Sequence, residues 1–282
     1  MKILDNFGNE VNELEGIPPI LYKYRTWEEV NKPVQYQRKI LTENQIFLSS
    51  ASGFNDPFDS TLPFKYRSEE MTRENVYMKL RQLAKGMWPT ETEQFIEEKC
   101  YVRQFSGVFE SGDYWKDFYP TFRQDVAEKF GILSLASRPD NLLMWSHYSN
   151  SHQGFCVGFD SKMLFELIGG QIAPVLYSEK FPELDLFSSF VENVYKLLST
   201  KSVHWFYEEE FRIRKSNSAN LPLEFPSECI KQIFIGCNMP MHIKLEIYDI
   251  CEKKFSHAEI FETAMNNENF ELNLNRIHML KK

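Results

Sequence analysis

The sequence predicts an α+β fold: a mixed, twisted β-sheet with flanking helices and a helical insertion. Three observations carry this expectation. Short period-2 apolar segments alternate with segments of helical period along the chain. From about residue 65 to 130 the composition turns charged and rich in helix formers. No Pro/Gly/Ser-rich linker and no internal repeat divides the 282 residues, so 1–282 reads as one domain.

Element by element, Ile20 to Arg25 reads as a strand ending in a cation, and Pro33 suits the first turn of a short helix running toward Thr42. Gln45 to Ser49 is a second strand. It leads into Ser50-Ala51-Ser52-Gly53-Phe54-Asn55-Asp56-Pro57, a run of turn formers. Within the insertion, Trp88-Pro89 punctuates the pattern and Thr90-x-x-Glu93 offers a capping box for a helix through Cys100. Strands resume at Ile132–Ala136, Gly154–Phe159 and Ala173–Tyr177, and Asn141 and Asp160 are placed to cap short helices. A helix is expected over Leu184–Ser199, strands over Phe211–Arg214 and Ile230–Ile235, and a helix over Met241–Lys253. Ala258–Phe261 and Phe270–Leu274 close the pattern as strands.

Composition narrows the function classes. With 24 Phe, 13 Tyr and 5 Trp the chain fills a sizeable core, which excludes intrinsic disorder. A net charge of −8 argues against a general nucleic-acid scaffold, because phosphate binding needs an excess of Lys and Arg. No run approaches the ~18 apolar residues of a membrane span, so no membrane partner is expected. The segment Met1-Lys2-Ile3-Leu4-Asp5-Asn6 turns acidic at once, unlike a secretory signal. Five cysteines without a Cys-x-x-Cys pair support neither a disulfide framework nor a zinc knuckle; reduced thiols in a cytoplasm are the expectation.

Three strips carry the candidate chemistry. In Lys201-Ser202-Val203-His204-Trp205-Phe206-Tyr207-Glu208-Glu209-Glu210-Phe211-Arg212-Ile213-Arg214, an extended backbone from Tyr207 onward would put Glu208, Glu210, Arg212 and Arg214 on one face. Paired carboxylates and guanidinium groups shift one another's proton affinities and bind a polyol or phosphate; the same strip also suits a solvated outer face with i,i+2 ion pairs. In Asn141-Leu142-Leu143-Met144-Trp145-Ser146-His147-Tyr148, helical spacing pairs Leu143 with His147 and Met144 with Tyr148, a mostly core-facing pattern. His147 is there either a general base or a satisfied structural histidine. His152, five residues on, is poorly spaced for a shared metal, and no metal is expected. In Phe54-Asn55-Asp56-Pro57-Phe58-Asp59 the Asx residues make a tight turn, or their carboxylates hold a substrate or orient Arg25. Phosphate-loop, dinucleotide and Gly-x-Ser-x-Gly motifs are absent from the sequence.

Leu21-Tyr22-Lys23-Tyr24-Arg25, Phe47-Leu48-Ser49-Ser50 and Phe54 to Asp59 resemble the opening blocks of the bacterial family known as domain of unknown function 2971. Gly131 to Leu135, Leu143 to Tyr148, Gly154 to Asp160 and Lys201-Ser202-x-x-Trp205-x-Tyr207-Glu208-x-Glu210-Phe211-Arg212 continue the resemblance in order. It spans Leu21 to Ile235 and leaves out the insertion and the C-terminal tail. The chain is also similar to ADP-ribosyltransferases, which place an Arg or His on an early strand, a Ser strand next and a Glu-x-Glu late. Arg25, Ser49 and Glu208-x-Glu210 follow that order. Ser49 is followed by Ser50 where the family has Ser-Thr-Ser, and the gap to Glu208 requires insertions.

This second resemblance implies an enzyme that uses NAD to modify a protein or nucleic-acid acceptor, in a toxin or phage-defence setting. Glu210 and Glu208 are then the catalytic carboxylates, because cleavage of the nicotinamide–ribose bond develops positive charge that a carboxylate stabilises. Arg25 is expected to hold the pyrophosphate, and Tyr24 or Trp205 to stack on nicotinamide. Ser49, Asn55, Asp56, Trp145, His147, Tyr148 and Arg212 complete the expected nucleotide pocket. Two other readings remain open. One is a non-enzymatic ligand sensor or interaction module with partner proteins, whose pocket Trp145, Trp205 and the Glu/Arg strip would line. The other is a metal-dependent nuclease or phosphohydrolase with Asp56, Asp59, Glu208 and Glu210 around Mg²⁺.

Overall fold

Apolar side chains at alternate strand positions turn one side of the sheet inward, and helices cover them. The computed structural model describes residues 3–4, 10–11, 14, 16–27, 36–60, 68–107, 112–181, 185 and 187–278. A short antiparallel ladder of β1 (Ile3–Leu4) and β2 (Glu10–Val11) precedes β3 (Ile20–Arg25), α1 (Lys39–Thr42) and β4 (Gln45–Leu48). Helices α2 (Arg73–Met87), α3 (Glu93–Phe105) and α4 (Gly112–Lys129) follow, then β5 (Phe130–Ala136), α5 (Leu142–Tyr148), β6 (Phe155–Asp160) and α6 (Ser161–Ile168). Next come β7 (Gln171–Pro174), β8 (Leu176–Ser178), α7 (Phe190–Ser199), β9 (Thr200–Ser202), β10 (Glu210–Ser216) and β11 (Leu221–Glu224). The chain ends with β12 (Ile230–Ile235), α8 (Met241–Lys254), β13 (Glu259–Met265) and β14 (Leu272–Ile277).

Among the described residues, eight strands form the main sheet, in the order β14-β13-β12-β6-β3-β5-β10-β7. Strands β12 and β13 are parallel, with α8 between them in sequence, and the other neighbours are antiparallel. The fold is α+β with a mixed sheet and flanking helices. One sheet face carries Leu21, Leu133, Leu135, Phe155, Val157, Phe159, Ile213, Ile233 and Ile235, packed with Ile40 and Leu41 of α1, Leu164 and Phe165 of α6 and Ile247 of α8. Burying a side chain of this size is worth about 1.5–3 kcal/mol. The opposite face holds Tyr24, Cys156 and Phe234 beneath Met144 and Trp145 of α5.

Several boundaries differ from the sequence expectation. Thr92, not Thr90, caps α3 by accepting from the Phe95 N–H. Glu93 instead pairs with Arg81 and Lys85 of α2. The strand expected over Ala173–Tyr177 breaks at Val175, whose N–H bonds the Glu210 carbonyl between β7 and β8. Helix α7 starts at Phe190 rather than Leu184, because Ser189 and Glu192 close a capping box there; residue 184 and Pro33 lie outside the described residues. Asn141 and Asp160 cap α5 and α6 as their residue types dictate.

The helical stretch is not uniform. Helices α2 and α3 pack on one another through Leu80, Ala84, Ile96 and Cys100. In contrast, Phe122 and Val126 of α4 join Ile132 of β5 and Val194, Leu197 and Leu198 of α7. Helix α4 thus belongs to the sheet's packing, and α2 with α3 forms the separate hairpin.

Candidate functional site

The site forms where two neighbouring strands part. The register of β3 with β5 is a single pair, Tyr22 with Ala136, while β3 stays paired with β6 through Arg25. Beyond Tyr22 the breach opens into a cavity of about 360 Å³. Its walls include Lys23, Tyr24 and Arg25 of β3, Ser49 after β4, Asn55 and Asp59 of the following loop, Ser134 of β5, His147 and Tyr148 of α5, and Lys201, Glu208, Glu210 and Arg212.

Five of these groups make a buried charge network. Arg212, 1% exposed, gives its Nη1 and Nη2 to the two Asp59 carboxylate oxygens at 2.9 and 2.5 Å. Its Nε and Nη2 reach the two Glu210 oxygens at 2.7 and 3.0 Å, and Nη1 also donates to the Leu198 carbonyl at 2.9 Å. Lys201 Nζ donates to Glu208 at 2.5 Å and Glu210 at 3.1 Å, and stands 5.0 Å from the Trp205 ring centroid. Tyr148 donates its hydroxyl to the other Glu208 oxygen at 2.6 Å, and Asn55 donates to Tyr148 at 3.4 Å.

The two glutamates converge by a different route from the one the sequence suggested. Val203–Glu208 forms a 3-10 turn rather than a strand, and Glu209 adopts φ +42° before β10 begins. That left-handed residue reverses the chain so that both flanking carboxylates meet Lys201. Glu210, Arg212 and Arg214 do share one strand face opposite Phe211 and Ile213. Nevertheless, the solvated outer face is ruled out, since all three are at most 4% exposed.

Electrostatics separate the carboxylates. Burial would raise the Glu210 carboxyl, but Arg212 and Lys201 outweigh it and hold the group far below the ordinary range. Burial raises Glu208 as well. Lys201 offsets this only in part and Glu210 adds to it, so the net shift is upward. Burial opposes the charged form of Lys201, yet the two glutamates keep it firmly protonated.

The remaining predicted residues divide. Arg25, Tyr24, Ser49, Asn55, His147, Tyr148, Glu208, Glu210 and Arg212 all line this cavity. Trp145 does not: it is fully buried, with its indole N–H donating to the Pro139 carbonyl at 2.7 Å. Tyr24, 3% exposed, packs edge-on to Trp145 and donates its hydroxyl to the Arg138 carbonyl, so its ring cannot stack on a ligand. Asp56 accepts from the Phe58 N–H in an Asx turn. It lines a neighbouring cavity of about 720 Å³ with Trp205, Phe58 and Phe181. His147 and Lys201 border both cavities.

Helix α5 turns Met144 and Trp145 inward, whereas Leu143 and His147 are exposed, contrary to the i,i+4 expectation. His147 shares a 2.9 Å hydrogen bond with the Tyr207 hydroxyl. The loop carboxylate Asp59 orients Arg212, not Arg25. A Mg²⁺ cradle does not fit this donor set: Asp59 and Glu210 are bridged by Arg212, Glu208 is bound to Lys201, and Asp56 faces elsewhere. Among the described residues, no group of three or more potential ligands is arranged to hold a metal ion. Lys201, which organises both glutamates, and Lys23 had no assigned role in the sequence reading. Their signal was their place inside the Lys201-Ser202 and Leu21-to-Arg25 blocks.

Residues 144–213 match the family model described as Protein of unknown function (DUF2971). Over these 70 of its 282 residues the chain is similar to that family. The DUF2971 match runs from α5 to β10 and includes Tyr148, Lys201, Glu208, Glu210 and Arg212. No curated protein and no solved structure matches the chain. No helix among the described residues is long and apolar enough to cross a membrane.

Proposed function

We propose that this chain is an ADP-ribosyltransferase-like enzyme that takes NAD into the charged cavity and modifies a protein or nucleic-acid acceptor. The observation that supports the reading is the meeting of Arg25, Ser49 and Glu208, from three distant parts of the sequence, on one cavity wall. Glu208 is the carboxylate to face the ribose, because its partners are a lysine and a tyrosine hydroxyl rather than a bidentate arginine. As the nicotinamide bond breaks, its charge stabilises the developing cation. Glu210 holds Lys201 and Arg212 in place beside it. Arg25 supplies the cation for the pyrophosphate. The polar cavity lies at the small end of ligand pockets, so a dinucleotide extends past His147 and Lys201 into the aromatic cavity, where Trp205 offers a stacking face.

A second reading, a ligand sensor without turnover, draws on the mutual satisfaction of Asp59, Glu210 and Arg212. Such a network holds its shape when a ligand binds beside it. Thermal-shift titration with millimolar NAD, paired with an assay of nicotinamide release, separates the two. Saturation at about 100 times the dissociation constant adds roughly 2.7 kcal/mol of stability, and Arg25→Ala is expected to remove that shift. Glu208→Gln is expected to keep binding and to lower nicotinamide release by roughly 10²-fold or more. Binding without release in the parent chain selects the sensor, and no shift at any concentration overturns the NAD reading.

A further inference from the structure

Two lysines border the charged cavity in opposite electrostatic circumstances. Lys201 is clamped by two carboxylates. Lys23 lies in the breach between β3 and β5, where its Nζ donates to the Ser134 carbonyl that β3 leaves unpaired. Among the described residues, no carboxylate comes within ion-pairing distance of Lys23. Its side chain is half-buried and forms part of the cavity wall, so a ligand in the cavity can reach it.

We propose that Lys23 is a reactive amine, which condenses with the carbonyl carbon of a small aldehyde or ketone to form an imine. This goes beyond the NAD reading and does not depend on it. The Nζ lone pair attacks the carbonyl carbon and a C–N bond forms. The carbonyl oxygen leaves as water, carrying the two protons that Nζ loses, and the C=N bond closes without any oxidant or reductant. Hydrolysis reverses the step. The Glu208–Tyr148 pair on the same cavity supplies a carboxyl and a hydroxyl to relay protons.

Electrostatics agree with the geometry. Burial pushes the Lys23 ammonium well below the ordinary lysine range. Arg25 on the same strand pushes the same way, Glu210 and Glu208 oppose, and Lys201 adds a smaller push downward. The Cys156 thiol on β6, near Lys23, is itself kept neutral by burial. A neutral lysine in a pocket is the form that acts as a nucleophile toward carbonyls.

The test labels the full-length chain with pyridoxal phosphate at pH 7.5, reduces with borohydride and locates the secondary amines by peptide mass spectrometry. Lys23 is expected to label about tenfold faster than Lys253, which is 68% exposed, since a lowered pKa leaves more free amine to react. Its rate is expected to level off well below the reference lysine pKa of roughly 10.4, as the downward shift requires. Lys23→Arg keeps a donor for the Ser134 carbonyl and should lose the label at this position alone. Labelling of Lys23 no faster than Lys253, or with the same pH profile, overturns the proposal. Both readouts come from the unmutated chain, so they stand even where the variant does not fold. NAD is absent throughout, so failure here leaves the NAD reading untouched.

Discussion

Arg212 joins Asp59, Glu210 and the Leu198 carbonyl at the floor of the cavity, with Phe54 stacked 5.0 Å away. Removing one member of a buried ion network strands the others. Arg212→Met is therefore expected to cost about 3–5 kcal/mol, read as a lower urea midpoint. Arg214 presents the opposite case two residues on. It is buried, and its Nε has no hydrogen-bond partner among the described residues; burial and the Arg212 charge lower its pKa to about 10. Among the described residues no carboxylate pairs with it, and the Ser199 hydroxyl and the Tyr195 ring at 5.3 Å offset its burial only in part, so Arg214→Met should be neutral or stabilising in the same assay. The pH dependence follows from Glu210. Its carboxyl is depressed in the folded state, so the stability it contributes is present above the ordinary value of 4.5 and is lost as pH falls below that value. Glu210→Gln should flatten the urea-midpoint curve on the acid side of pH 4.5. Glu208, raised instead, contributes with the opposite sign as it takes up its proton.

Among the elements, β3 decides whether there is a cavity at all. Its C-terminal half leaves β5 but stays on β6, and the tight approach of Gly154 to the Arg25 carbonyl guides that path. A Cβ at position 154 would overlap that oxygen. Gly154→Ala is expected to destabilise by about 1–3 kcal/mol, as measured by chemical denaturation. It should also weaken NAD-type binding more than the lost stability explains, because Arg25 moves with its carbonyl. Helix α7 plays the complementary part from the other side: its last turn supplies the Leu198 carbonyl to Arg212 and the Ser199 hydroxyl to Arg214.

For the whole molecule, the sheet has two unlike faces. One carries a continuous apolar core, and the other mixes aromatic packing with the charged cavity. The α2–α3 hairpin stands apart from both, with its own small core and capped by Thr72 and Thr92. Replacing residues 71–106 by a short flexible linker is expected to leave the sheet folded, with a thermal midpoint within a few degrees of the parent. Extending the deletion into α4 should unfold the chain, because Phe122 and Val126 close the core over Ile132.

Strand period gave β3 and β12 to the residue, and cap residues gave the starts of α5 and α6, because those signals are local. The composition of the three strips also marked the cavity's building blocks. What sequence could not supply was which side chains pair across the fold. Ion-pair geometry depends on residues such as Asp59 and Arg212, 153 positions apart, and on the left-handed turn at Glu209, which has no glycine to announce it. Alternation alone suggested a solvated charged strip. Burial under α7 and the Phe54 loop turned that strip into a closed network, sent Trp145 into the core, and left Lys23 where two strands separate. Local propensity thus determined the elements and the candidate residue types by itself. Only the tertiary structure decided their partners, since desolvation and pairing are properties of neighbours that the chain brings together from a distance.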